Sequence, residues 1–499
     1  MIKKTFLALI VLFVMVFGGD FEDGVAAYNA GDYQKAAVLF EKAAGRGDVD
    51  AQNNLGVMYE NGKGVEQDYQ KAAGFFRKAA EQGDADAQYN LGVMYEYGKG
   101  VRQNYQKAVE FYRRAADQGI AEAQRILGAM YELGKGVTQD YPKAAGCYRN
   151  AAEQGDADAQ YKLGIMYDHG RGVKQDYPKA AECYRKAADQ GIAEAQTNLG
   201  SMYLDGQGVR QDYQKAAELF LKAAGQGHAT AQTILGLMYE YGKGVKQDYL
   251  KAAEYYRKAA DQGIVEVQSI LGAMYAHGKG VKQDYLKAAE YYRKAADQGI
   301  AEAQTNLGSM YLDGHGVKQD YQKAAALFRK AAGQGDARAQ TILGVMYEQG
   351  QGVAQDDQKA AKCYRKAANQ GYAMAQINLG IMYENGRGVN QDYQKAAEYY
   401  RKAADRGIAM AQTKLGDIYL DGRGVQQDYQ KAAKLFRKAA EQGDADAQYK
   451  LGMMHANGQG VEEDELKVYH YWMMAAMQGH ETAQKKLNIF CKQHPIACK

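Results

Sequence analysis

A chain of 499 residues would ordinarily fold as about three domains, but 58 glycines, 41 tyrosines, 3 prolines and a single tryptophan describe one small unit copied many times. The net charge of +3, which falls to +1 without Lys3 and Lys4, excludes the basic stripe needed to displace counterions from a nucleic-acid backbone. With 46% apolar and 25% charged residues, the composition also excludes a disordered chain.

The first element in chain order is an export signal, predicted over residues 1–18. Lys3 and Lys4 make a positive start, Thr5 to Phe17 is almost wholly apolar, and Val16 stands third from a cut after Gly18. The apolar run is short for a bilayer, and Asp20, Glu22 and Asp23 follow it. The expected mature protein is periplasmic or secreted and keeps no membrane span.

Residues 19–47 form one helix hairpin, and 48–479 hold twelve copies of a longer one. A Leu-Gly pair recurs every 36 residues from Leu55 through Leu91 and Leu127 to Leu451, without insertion or deletion. Gly242 to Ile264 is identical to Gly278 to Ile300. In one copy, Ala87, Leu91, Met94 and Tyr95 make an apolar stripe that predicts a helix over 85–97. Gly98 and Gly100 break it, and Val101 can plug the core from the loop. A second helix is expected over about 105–117, burying Ala108, Phe111, Tyr112 and Ala115 and stopped by Gly119. Asp140 and Asp176 are candidate N-caps, with Pro142 and Pro178 in the first turn, where proline is tolerated. A lone hairpin cannot bury both faces, so the copies are expected to stack around a continuous core.

The string A-x-A-Q-x-x-L-G-x-M-Y-x-x-G-x-G-V resembles the Sel-1-like repeat family, a branch close to the tetratricopeptide repeats. Gly24 to Ala36 spans four residues fewer than Gly92 to Ala108, so the first hairpin is similar to a plain tetratricopeptide unit and the later copies carry the Sel-1-like loop insertion. The resemblance implies an all-α, right-handed α-α superhelical solenoid whose first helices line a concave groove. It also implies an exported scaffold or adaptor that holds a protein or peptide partner without catalysis. A cell-wall-related enzyme or enzyme inhibitor, and a secreted factor contacting a host or another cell, stay open as alternatives.

No chemistry-bearing motif competes with this reading. The G-K-G-V loop lacks the third glycine and preceding strand of a nucleotide fingerprint. Eight scattered histidines form no paired-ligand pattern, and Ser201, Ser269 and Ser309 sit in no nucleophile elbow. Neither a metal, a cofactor nor a catalytic residue is therefore expected. Cys147, Cys183 and Cys363 share one repeat position held elsewhere by Phe, Tyr or Leu, and read as small core residues. Cys491 and Cys498 lie outside the repeat and are the disulfide candidates in an oxidising compartment.

Binding is expected where copies differ. Two residues before each Leu the chain carries Tyr89, Arg125, Tyr161, Thr197 and Thr233 in succession, and tyrosine and arginine are the types that anchor interfaces. Glu96 and Glu132 stand near first-helix ends and suggest an acidic groove suited to a basic or extended peptide. At the other end, Trp472 and several methionines precede residues 480–499, a capping helix and tail.

Overall fold

The computed structural model describes residues 19–498, so the predicted export signal lies outside the described residues. These residues form 27 α-helices and no strand, in two compact units divided between Asp248 and Tyr249. In each unit, antiparallel helix pairs stack side by side with regular contacts to the next pair. The fold is an all-α solenoid of helix hairpins.

Most helices have 13 residues, about 20 Å of rise. Ala85–Tyr97 and Tyr105–Asp117 match the bounds read from the sequence. First helices end on a left-handed glycine, such as Gly98 at φ 70°. Second helices start on an aspartate whose carboxylate accepts a backbone N–H three residues on, as Asp140 does from Lys143 and Asp176 from Lys179. Gly92, of the recurrent Leu-Gly pair, lies against a buried aromatic; a Cβ there would stand 2.8 Å from the Tyr112 ring. Gly100 packs its loop onto the preceding repeat, where a Cβ would overlap the Tyr69 carbonyl. Close packing thus accounts for the G-K-G loop.

A glutamine ladder fixes hairpin to hairpin. Gln88 donates to the Ala80 carbonyl of the preceding helix and accepts from Gln118 of its own hairpin. The same arrangement recurs at Gln52, Gln124, Gln160 and Gln196 in the first unit and at Gln268, Gln304, Gln340, Gln412 and Gln448 in the second. One rung is missing. Gln376 is 4% exposed, and its Oε1 has no hydrogen-bond partner among the described residues. The residue placed to donate to it is Arg406, which bonds the Gly371 carbonyl instead. The second helix of that hairpin, Tyr393–Ala404, is a residue shorter than usual.

The second unit ends on the helix Glu481–Gln493. Its Phe490 meets Trp472 edge-on at 5.7 Å, and the Trp472 indole donates to the Tyr449 carbonyl at 3.1 Å. Cys491 is disulfide-bonded to Cys498 with Cα atoms 5.6 Å apart, while Cys147, Cys183 and Cys363 are free.

Candidate partner-binding face of the first helices

In the first unit, each first helix turns its Leu and Met into the core and leaves one stripe facing solvent. In Ala85–Tyr97 that stripe is Asp86, Tyr89, Asn90, Val93 and Tyr97, following the helical period. Tyr89 is half-buried, its ring tilted against Tyr112 at 5.9 Å, and Tyr161 repeats the arrangement on Tyr184 at 5.9 Å. Burial raises both phenols above the ordinary tyrosine range, helped by Glu122 near Tyr89 and Glu194 near Tyr161. Between them, Arg125 donates from Nε to Asp156 at 3.2 Å, reaching the N-cap of the next first helix.

The row closes further along. Thr197 is 4% exposed; its hydroxyl donates to the Ala193 carbonyl at 2.8 Å and lies 3.0 Å from Nδ1 of His228. A short side chain lets the next repeat's N-cap close over it, and a threonine hydroxyl readily bonds the carbonyl four residues back. Thr233 makes the same bond to Ala229 but is half-buried. Of the five, only Thr197 is buried; Tyr89, Arg125 and Tyr161 are the large side chains of the open positions.

Glu96 and Glu132 face inward to their own hairpins. Glu96 is 8% exposed, accepting from Tyr112 at 2.8 Å and from Lys135 at 2.9 Å, and Glu132 accepts from Tyr148 at 2.7 Å. The buried Tyr112 and Tyr148 phenols are held far above their ordinary value, first by desolvation and then by these carboxylates. The exposed acids of the stripe are instead Asp50, Asp86, Glu122, Asp158 and Glu194 in five successive first helices, with Asp205 at the end of the fifth and Thr230 in their place in the sixth. Three exposed apolar residues, Tyr97, Leu133 and Tyr241, close the stripe at first-helix ends. The i+4 spacing of Tyr97 from Val93 and of Leu133 from Ala129 places them on the same helix face, a signal the sequence carries.

Chemical machinery is sparse. No group of three or more His, Cys, Asp or Glu side chains among the described residues could hold a metal. Burial pushes the Cys147 and Cys183 thiols up to about 11, which keeps them protonated at neutral pH. Among the described residues, no helix is long and apolar enough to cross a membrane.

Stacked helix hairpins with fixed cores and a varying surface stripe define a helical-repeat solenoid. The Sel1 repeat model matches thirteen times in succession, from 17–48 through 49–84 to 445–480, and the chain belongs to the Sel1 repeat family. The first match is four residues shorter than the others, the length of the loop that the first hairpin lacks. Among solved structures, the chain is similar to c5321, a protective antigen of uropathogenic Escherichia coli displaying an SLR fold. Identity is 36%, coverage is 90% of this chain and 97% of that one, and the TM-score is 0.80. A Sel1 repeat protein from Oxalobacter formigenes is 37% identical over 62% of this chain and 89% of its own, with a TM-score of 0.51. A search of curated proteins gives no match.

Proposed function

We propose that this protein is an exported, non-catalytic scaffold that holds a protein or peptide partner along the first-helix stripe of residues 49–241. One observation carries the reading: Tyr89, Arg125 and Tyr161 occupy successive first helices at a position the core leaves free to vary, beside the row of exposed acids. Half-buried aromatics with an arginine between them are already partly ordered, so docking a partner on them costs little side-chain entropy. The acids favour a basic or extended peptide. Sel1 repeat solenoids are a fold typical of protein–protein interaction scaffolds, which supports the same reading.

Export is part of the proposal. It is supported by the Lys3/Lys4 start with its apolar run and by the Cys491–Cys498 disulfide, a bond that persists in oxidising compartments. Likeness to a protective antigen favours exposure at the cell surface over periplasmic retention. Protease treatment of intact cells distinguishes the two.

The decisive experiment is in-cell crosslinking of the wild type beside two variants. One is Y89A/R125A/Y161A; the other is Y97A/L133A, which changes exposed side chains only. A single partner captured by the wild type and lost from both, with unchanged helical melting, is the expected result. Equal capture by all three would remove the stripe as the binding face.

A further inference from the structure

The last repeat breaks the pattern where no packing rule requires it. In each of the eleven preceding loops a glutamine, from Gln67 and Gln103 to Gln427, donates its amide to a carbonyl at the end of the first helix. In at least six of them the same amide also reaches the hydroxyl of the tyrosine two residues on. The corresponding residues of the last repeat are Glu463 and Glu465. Two carboxylates replace a neutral amide and a phenol.

These residues line a cavity of about 530 Å³ between the last full hairpin and the capping helix. Glu463, Asp464 and Glu465 form one wall; Met453, Val468, Trp472, Ile489 and Phe490 supply apolar surface. The volume falls in the range of small-ligand sites. His455 also lines the cavity, in place of the array's recurrent tyrosine, and is 3% exposed. Its Nδ1 lies 2.9 Å from the Glu462 carbonyl, so Nδ1 carries the proton. Nε2 is then an acceptor with no hydrogen-bond partner among the described residues. His455 lines the cavity, so this acceptor is open to a donor that enters it. Asp464 caps the next helix and Glu465 lies 2.8 Å from His494, so Glu463 is the carboxylate with no such engagement. Lys486 is the one lysine or arginine of the lining.

From this geometry we propose that the C-terminal cavity binds an organic cation, an ammonium or guanidinium on an aliphatic stem. The stem lies against the Met453, Ile489 and Phe490 surface, and the head donates to Glu463 and to Nε2 of His455. Free amines and the lysine or arginine side chains of a polypeptide share this chemistry. The site is independent of the first-helix stripe.

Trp472, the only tryptophan of the chain, lines the cavity and reports on it by fluorescence. The full-length mature protein is titrated with pentylammonium, with neutral pentanol, and with the capped tripeptide acetyl-Gly-Lys-Gly-amide. Saturable binding of the cation without binding of pentanol is expected. E463Q/E465Y and H455Y, which restore the residues of the other repeats, are each expected to weaken it at least tenfold. Should the double variant melt early, E463Q alone carries the comparison. Tighter binding of the tripeptide identifies a polypeptide as the source, and equal binding a free amine. No saturable response to pentylammonium, an equal response to pentanol, or undiminished affinity in the variants would overturn the proposal. Y89A/R125A/Y161A is expected to leave cation binding unchanged, so failure of either site is read separately.

Discussion

Glu96 and Tyr112 lie sixteen residues apart and meet inside one hairpin at 2.8 Å. The same pair of positions holds Glu132 with Tyr148, Asp168 with Tyr184, Glu348 with Tyr364 and Glu384 with Tyr400, each hydrogen-bonded. Where the second helix carries Phe220, Phe328 or Phe436, the first carries Leu204, Leu312 or Leu420. The array therefore exchanges a polar pair for an apolar one as a unit, because a buried carboxylate without its donor is costly and two apolar groups are not. Phe76 with Glu60 and Tyr292 with Ala276 depart from the rule; at the first, Lys99 stands 3.6 Å from the carboxylate. Tyr112→Phe is expected to cost about 1–3 kcal/mol, and adding Glu96→Leu to recover most of it, as read by chemical denaturation. Equal stability of the single and double variants would show that the pair is not coupled. This covariation stood in the sequence, but reading the acids by their place along the first helix assigned Glu96 and Glu132 to the groove. The burial of Thr197 was less legible, since it depends on where His228 of the next repeat lies.

At the scale of the helix, most was readable in advance. Each terminus has a local cause: a left-handed glycine after the first helix, an aspartate before the second, and a glycine past its end at φ 96° for Gly119. Such signals act within a few residues and need no tertiary information. The caps also set a pH dependence. Asp140, Asp176, Asp212, Asp320, Asp356, Asp392, Asp428 and Asp464 are all held below the usual aspartate range, chiefly by the backbone N–H three residues on. Because the folded-state values are the lower ones, this stabilisation is complete above the free-aspartate value of about 3.9 and is lost as pH falls through the folded values. The melting temperature is expected to hold steady from neutral pH to about pH 5 and to fall below about pH 4. Changing Asp140, Asp176 and Asp212 to asparagine, which Asn104 already is at this position, should make that fall shallower. An unchanged acid slope in circular-dichroism melts would rule out the caps as its source.

Over the whole molecule, stability is expected to be nearly a sum of repeat and neighbour terms, since each hairpin's regular contacts are with the hairpins beside it. Deleting residues 301–336, one full repeat of the second unit, should leave the helical signal per residue unchanged and the melt cooperative. Collapse of that signal would contradict the additive picture. The solenoid was legible because a 36-residue period repeats its evidence twelve times. What repetition hides is the single departure, and the C-terminal cavity is made of such departures.

The missing glutamine rung has a consequence for proteolysis. From Gln82 onward, Arg406 is the one place where a turn between hairpins carries arginine at the ladder position instead of glutamine. It follows a shortened helix whose end lacks the usual tie to Gln376. Arg401 and Lys402 lie just upstream. A trypsin-like protease meets its preferred side chain there, in a turn without the glutamine rung and three residues before the next repeat begins at 409. A nick at that point would leave complete hairpins on both sides, a break between repeats instead of within one.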